Sequence, residues 1–455
     1  MVAVQAYDVI VAGGGPAGST TAGFLAQAGL RVALFEKDRF PRYHIGESLL
    51  SATLPILEAL GVLPAIEEAG FIRKPGGTFV WGSQSEPWSF YFREDPGGRP
   101  HAFQVVRSQF DSILLRHAGA LGVDVHEEHR VHSVAYEDDI NRVTVEDSGA
   151  KRLLVEAPLF IDATGQLAML GKRDRLRRFN PFFKNLAIFG YFSGARNLDG
   201  PTAGNILSAA FRDGWFWFIP LHDGTTSVGA VVDARRFAGV AEGDAEQLYR
   251  QLIGDCEPVK NRLRAAQLIP PVRIIRDYSY CGDRFYGPGY LLAGDAACFI
   301  DPVFSTGVHL ACLSGYLASR AVVSMRQGTP VAEACEQYDK RYRAAFERYL
   351  NFLYFFYDHH SDPQSYFWRA RKILGSSEDL ETRTAFVRLM SGAGDLLHGD
   401  NALRDELEAR RSRLSQAIRN NRFASASEAQ WFRVRSTLHE MKEPPAPGPK
   451  VNKSS

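Results

Sequence analysis

Three consecutive glycines, Gly13-Gly14-Gly15, continued by Pro16-Ala17-Gly18, constrain the fold of this chain more than any other feature in it. They follow a short apolar run, residues 7 to 12, and open a stretch from 16 to 29. In that stretch Ala17, Thr20, Thr21, Phe24 and Leu25 recur at helical spacing and stop at Gly29. Residues 31 to 35 read as a second strand, closed by Glu36. Two parallel strands joined by a helix imply a sheet covered on both faces. Gly13 permits the tight turn, Gly15 lets backbone amides approach a pyrophosphate at the positive end of the helix, and Gly18 lets helix and strand pack closely. Glu36 stands about 20 residues on, where a carboxylate accepts from ribose hydroxyls. Strand, helix, second strand and acid together read as a dinucleotide-binding unit rather than a mere turn.

Composition narrows the field by exclusion. The 455 residues set a prior of about three units. With 53 Lys+Arg against 52 Asp+Glu the net charge is +1, so neither nucleic-acid binding nor an acidic solvating tail is expected. The 45% hydrophobic and 23% charged fractions are those of an ordinary globular protein. The 30 Phe and 17 Tyr point to large flat apolar surfaces, in a core or around a planar ligand. Cys256, Cys281, Cys298, Cys312 and Cys335 are odd in number and have no metal-type spacing, so they read as reduced thiols in a cytoplasmic protein. No basic segment precedes the first apolar run, and no uninterrupted apolar run approaches the roughly 20 residues that span a bilayer. Neither a signal peptide nor membrane insertion is expected.

Further along, a helix is predicted after Val105-Val106, with Phe110, Ile113, Leu114 and Leu115 on its apolar face. Short strands from 124 to 161 lead into Asp162-Ala163-Thr164-Gly165, and residues 184 to 235 are strand-rich and aromatic. Tyr290 to Ala293 reads as a strand, followed by a Gly-Asp turn and a long helix from about Gly307; from about 331 the pattern is helical and charged.

Gly294-Asp295-Ala296-Ala297 resembles the GD motif of the FAD-dependent monooxygenase-like superfamily. Asp162-Ala163-Thr164-Gly165 resembles its DG/ATG segment, and Val106-Arg107-Ser108-Gln109-Phe110-Asp111 its arginine-bearing helix start. The resemblance implies FAD, with Asp295 at the flavin ribitol and the following helix aimed at the cofactor. It implies cofactor contacts from Gly13, Gly15, Ala17, Gly18, Glu36, Arg107 and Asp295. No second GxGxxG is evident, so reduced flavin comes from a partner reductase or from transient NAD(P)H docking.

Trp215-Phe216-Trp217-Phe218-Ile219-Pro220 matches the WxWxIP motif of the flavin-dependent halogenases, which the chain resembles from about residue 5 to 375. Read as a plain strand, the alternation sets Trp215, Trp217 and Ile219 on one face and Phe216 and Phe218 on the other, which a buried core strand also satisfies. Indoles beside the flavin would hold an organic substrate away and admit only a small anion. Phe71 to Gly82 resembles the segment that carries the family's lysine, so Lys74 is the residue expected to receive hypohalous acid, unless it is a solvated surface lysine beside Arg73. An ammonium in an apolar tunnel polarises HOCl; a neutral amine, favoured by desolvation, forms a chloramine. Ser305-Thr306-Gly307 resembles the chloride-binding segment, at a helix start where backbone amides face an anion. Phe304 stands where tryptophan halogenases keep a glutamate, which argues against indole and for a phenolic or pyrrolic ring. The segments 301 to 310 and 356 to 372 look closest to bacterial halogenases of such rings, many acting on a substrate tethered to a carrier protein.

The expected fold is α/β: a Rossmann-like FAD-binding domain of glutathione-reductase type (residues 1–80, 101–180 and 275–330), an inserted β-rich substrate domain (81–100 and 181–274), a helical C-terminal cap (331–440) and a disordered, Pro-rich tail (441–455). The expected activity is an FADH2-dependent halogenase using O2 and chloride or bromide. Alternatives are an aromatic hydroxylase, a polyprenyl reductase and a flavin-carrying binding protein. The adjacent His359-His360 cannot share one helical face, so no metal is expected there. Gly46-Glu47-Ser48 resembles a GES segment kept near the flavin, with helix capping by Ser48 an equal reading. The aromatic run from Phe352 to Tyr357 reads as core packing or as a wall of the substrate chamber.

Overall fold

The opening unit forms as its residues dictate. Val9–Ala12 and Val32–Phe35 are fully buried parallel strands, and Pro16–Gln27 is the helix between them, with Pro16 at its first position. Gly13 has φ +106°, and a Cβ there would stand 2.3 Å from the Ala163 carbonyl oxygen. A Cβ on Gly18 would stand 1.8 Å from the Gly13 carbonyl oxygen, so only glycine lets helix and strand approach this closely.

The computed structural model describes residues 5–80, 86–95, 98–181, 183–234, 244–276, 279–358, 387 and 390–392. Residues Met1–Leu396 make one compact unit, and the second, Leu397–Ser455, lies wholly outside the described residues. The first unit is built on two large sheets. The six-stranded sheet runs, in spatial order, Tyr286–Gly287, Tyr290–Leu292, Leu159–Asp162, Val9–Ala12, Val32–Phe35 and Asp124–His126; all pairings but the first are parallel. The helix Gly307–Arg326 packs across the first helix, where Gly315 and Gly294 leave room for Ala17. That helix is long and apolar enough to cross a membrane, yet most of it is buried inside the molecule.

The seven-stranded sheet runs Gln267–Arg276, Asn185–Ser193, Thr225–Asp233, Gly214–Pro220, Ile206–Phe211, Gly76–Val80 and Trp88–Tyr91. Strand Gly76–Val80, which the sequence reading placed in the segment 1–80, is hydrogen-bonded into this second sheet. Gly76 and Gly77 open this strand. Here the missing side chains serve close packing: a Cβ on Gly76 would stand 1.9 Å from the Phe90 carbonyl oxygen.

This sheet separates two apolar cores. Trp215, Trp217, Ile219, Phe189, Phe79 and Phe90 join the large core shared with the dinucleotide-binding unit. Phe216, Phe218, Leu207 and Val228 join a second core under the helix Ala245–Asp255. The strand alternation seen in the sequence therefore divides the aromatic residues between two different cores.

The long helix begins at Gly307, as the sequence reading placed it, and a short ordered segment separates it from the Gly294-Asp295 turn. Gly294–Ala296 forms a single 3-10 turn, and Cys298–Phe299 pairs as a short strand before the helix. Pro302 and the strand pairing of Cys298 stop an earlier start. The C-terminal helical cap is described as the helix Val331–Asp358. His359-His360, Asp362, the motif residues from 359 to 372, Trp81-Gly82, the remainder of the cap apart from residues 387 and 390–392, and the tail lie outside the described residues.

Candidate active site

Gly15 caps the first helix without any side-chain acceptor, which leaves the amides of its first turn available to an anion. Opposite it is Arg42, whose Nη2 would lie 3.4 Å from a Cβ on Gly15. Glu36 is buried, and its carboxylate accepts from the Gly14 amide at 2.7 Å and the Asp38 amide at 2.9 Å. It is thereby fixed at the strand end with capacity left for further donors.

Arg107 opens its helix as the sequence predicts, and it is buried. It makes a bidentate pair with Asp111 at 2.8 and 3.0 Å and donates to the carbonyls of Ile45 at 2.6 Å and Gly46 at 3.2 Å. Arg42 shares the same Asp111 carboxylate at 3.2 Å. Burial raises the Asp295 carboxyl to about 7, against the opposing pull of Arg107 and Arg177. Asp162 accepts from Thr164 Oγ1 and from the amides of Thr164 and Leu170, which shapes the Asp162-to-Gly165 turn against Gly13.

These segments, far apart in sequence, form one lining: the Gly13–Gly18 loop, Glu36, Arg42, Arg107 and the Asp295 turn. The lining suits FAD on two observations. A side chain at Gly13 or Gly18 would collide with backbone, so the glycine cradle is obligatory. Arg177 Nε is buried without a partner. Arg42 and Arg177, which the sequence reading did not single out, are brought near this lining by the fold, and nothing local marks either of them.

The Gly46-Glu47-Ser48 segment lies against this lining. Glu47 is 2% exposed, and desolvation raises its carboxyl. It accepts from the Tyr191 hydroxyl at 2.6 Å and the Gly46 amide at 3.1 Å. Ser48 does not cap a helix; it bridges to Gln104 and its Oγ is buried without a partner.

Lys74 ends the strand Ile72–Lys74 and is 2% exposed. Its Nζ donates to the Leu49 carbonyl at 2.9 Å and lies 5.6 Å from the centre of the Phe92 ring. It has no carboxylate partner among the described residues. Burial alone lowers its pKa to about 7. The solvated-lysine reading is therefore set aside. Leu49 is two residues from Glu47, so the lysine and the GES segment share one short stretch of backbone.

Trp215 and Trp217 occupy neighbouring rows on the inner face of the seven-stranded sheet, with ring centres 6.2 Å apart. Trp217 is in register with Gly229, where a Cβ would stand 2.1 Å from the indole, and it lies 5.7 Å from the Phe189 ring on the next strand. Its Nε1 donates to Ser227 Oγ at 3.1 Å. Ser227 is in register with Tyr191, the residue that reaches Glu47. At the other end of the strand Asn185–Ser193, Asn185 Nδ2 donates to Asp301 Oδ2 at 2.9 Å. The two indoles thus occupy the rows between a contact with the flavin-lining loop and a contact with the loop that leads to Ser305-Thr306-Gly307.

In that loop Asp301 Oδ1 accepts from the Val303 amide, Ser305 adopts φ +60°, and Thr306 caps the helix Gly307–Arg326 without a side-chain acceptor. Phe304 is buried in the large core.

Comparison with known proteins gives a consistent picture. The family model described as tryptophan halogenase matches residues 8–98 and 93–407. A tryptophan 2-halogenase of Chondromyces crocatus is 35% identical over 415 residues, covering 89% of this chain and 79% of its own. A 1H-pyrrole-2-carbonyl-[peptidyl-carrier protein] chlorinase of Pseudomonas fluorescens is 31% identical over 375 residues, covering 77% and 83%. Among solved structures, the myxobacterial chondrochloren halogenase CndH, described as a variant of FAD-dependent halogenases, aligns with TM-score 0.75 and 42% identity over 86% of this chain and 91% of its own.

Proposed function

Because this chain belongs to the tryptophan halogenase family and is a flavin-dependent halogenase that uses FAD, we propose that it chlorinates or brominates an electron-rich phenolic or pyrrolic ring, with Lys74 directing the halogen. The observation that carries the proposal is the state of Lys74: an amine buried without an ion pair among the described residues and held at a pKa of about 7. Reduced FAD and O2 supply the oxidation of halide when bound. Gly13, Gly15, Gly18, Glu36, Arg107 and Asp295 would hold that cofactor, and Ala17 would seat the helix that presents it. The amides at Thr306 and Gly307, with the Ser305 turn, would hold the halide.

As an ammonium, Lys74 Nζ donates to the oxygen of hypohalous acid and draws electron density from the O–Cl bond. As a neutral amine, its lone pair takes the halogen and one water leaves; the aromatic carbon then takes the halogen from nitrogen, its C–H bond breaks, and the ring proton returns to the nitrogen to restore the amine. Desolvation permits both forms near neutral pH. Trp215 and Trp217 exclude an organic ring from the flavin side, so that only halide and the acid derived from it pass.

Phe304 favours a ring whose own heteroatom stabilises the cation, since no carboxylate stands there to assist an indole. The pyrrole-chlorinating relative fits that choice and fits a carrier-bound substrate; the tryptophan 2-halogenase relative is the counter-case. A flavin reductase would supply FADH2, and the cytoplasm, where such partners reside, is the proposed location. The flavin-binding segments, with the β-rich sheet inserted between them and a helical C-terminal cap, are the proposed domain organisation.

The test supplies FAD, NADH, a flavin reductase, chloride or bromide, and a panel of phenols, pyrroles and L-tryptophan, free and tethered to a carrier protein. Halogen isotope patterns on a phenol or pyrrole support the proposal. Selective halogenation of tryptophan, or a halide-independent gain of one oxygen, refutes it.

A further inference from the structure

Two of the five cysteines face each other across a strand pair. Tyr280–Gly282 and Cys298–Phe299 run antiparallel, in a register that sets Cys281 directly against Cys298. The Gly282 amide donates to the Ala297 carbonyl at 2.8 Å, which makes Gly282 and Ala297 the hydrogen-bonded positions and leaves Cys281 and Cys298 as a non-hydrogen-bonded pair. In such a pair the Cα atoms lie about 4.5 Å apart, within the roughly 4.4–6.8 Å that a disulfide spans. Both side chains leave the ladder on the same face.

The pair is chemically asymmetric. Cys298 is buried, and burial pushes its thiol well up. Cys281 is only half-buried. A hydrogen bond from the Cys298 thiol, together with the Arg343 guanidinium, holds the Cys281 thiol below its ordinary range despite the opposing effect of burial. Arg343 Nη1 lies 3.4 Å from Cys281 Sγ, and the guanidinium is fixed by Asp339 Oδ2 at 2.9 Å and the Gly282 carbonyl at 3.1 Å. Burial raises the thiols of the other three, Cys256, Cys312 and Cys335. The fold therefore sets one sulfur, held beside a guanidinium and donating to the Gly282 carbonyl, directly opposite a second, fully buried sulfur.

We propose that Cys281 and Cys298 form a reversible dithiol–disulfide site that hydrogen peroxide oxidises. The Cys281 thiolate attacks one peroxide oxygen, the O–O bond breaks, and hydroxide leaves and is protonated to water, giving a sulfenic acid on Cys281. The Cys298 sulfur then attacks the Cys281 sulfur, the S–O bond breaks, and the departing hydroxide takes up the Cys298 proton as a second water. Two thiols and one peroxide become one disulfide and two waters. The peroxide is the product that reduced flavin and O2 yield whenever halide oxidation fails to follow. The pair also borders the cofactor lining: Cys298 is three residues beyond Asp295, and the Tyr280 hydroxyl donates to the Asp295 carbonyl.

The test exposes the reduced full-length protein to graded hydrogen peroxide, alkylates the remaining thiols and maps peptides by mass spectrometry. The expected result is a Cys281–Cys298 linkage at the lowest effective dose, with the other three cysteines alkylated and dithiothreitol restoring all five. In Cys298→Ser, dimedone is expected to trap a sulfenic acid on Cys281. In Cys281→Ser, Cys298 is expected to stay alkylatable at the same dose. Oxidation of Cys256, Cys312 or Cys335 before Cys281, or alkylation of both Cys281 and Cys298 at every dose, overturns the proposal. So does a dimedone adduct on Cys281 in the unaltered protein without any linkage. Circular dichroism of each variant separates these outcomes from misfolding.

Discussion

A lysine is among the costliest side chains to bury without a carboxylate, and Lys74 is 2% exposed with a backbone carbonyl as its hydrogen-bond partner among the described residues. Its pKa falls from an ordinary 10.5 to about 7. From pH 7 to 10.5 the unfolded chain therefore holds more protons than the folded one, so stability rises with pH across that window and the cost is fully present below it. Replacing Lys74 by Met is expected to stabilise the fold by a few kcal/mol (about 1.4 per pH unit of displacement) near pH 6 and by less near pH 9. Urea unfolding at the two pH values measures this, and equal gains would show a lysine that stays charged when folded. The chemistry predicts a second outcome. Lys74→Ala is expected to keep FAD and release peroxide while halogenated product falls by about 10²-fold or more. Product formation at the unaltered rate would remove Lys74 from the mechanism. The motif around it singles this residue out in the sequence. Its burial was not legible there, because Arg73-Lys74 reads locally as a solvated pair, and only pairing with Ala102 turns Lys74 inward while Arg73 stays exposed.

At the scale of the element, the strand Gly214–Pro220 is apolar on both faces because each face belongs to a different core. The alternation was readable from period two alone. Which face meets the cofactor side was not, since it depends on neighbours from residues 76–80, 185–193 and 225–233. Gly229 illustrates the dependence: it shows no turn signal in the sequence, yet its missing side chain is the floor on which the Trp217 indole lies. Gly229→Ala forces the indole to move, at a cost of about 1–3 kcal/mol for overpacking. The expected outcome is a lower melting temperature, a shifted tryptophan emission and reduced halogenation with FAD retained. Unchanged emission and activity would show that the indole has room to give. The start of the helix Gly307–Arg326 was readable locally as well. The Gly-Asp turn and the helix start were both found; the short strand Cys298–Phe299 between them was not, because its pairing partner is Tyr280–Gly282.

For the whole molecule, one dinucleotide fingerprint serves one bound dinucleotide, and no second GxGxxG offers NAD(P)H a seat. The isolated protein with FAD and NADH is therefore expected to consume NADH at background rate, with turnover appearing only when a flavin reductase is added. Rapid NADH oxidation by the protein alone would return attention to the hydroxylase alternative. By itself, the sequence determined the dinucleotide-binding unit, the flavin assignment and the halogenase resemblance. Each rests on short motifs whose glycines, acids and aromatics are required by local geometry: a tight turn, a helix start, an alternating strand. Only the tertiary structure decided that residues 76–80 belong to the second sheet, that Lys74 is desolvated, that Tyr191 closes on Glu47, and that Cys281 meets Cys298. These are contacts between residues from 17 to 144 positions apart. Burial, and with it the pKa of an amine or the reactivity of a thiol, is set by neighbours that no local sequence window contains.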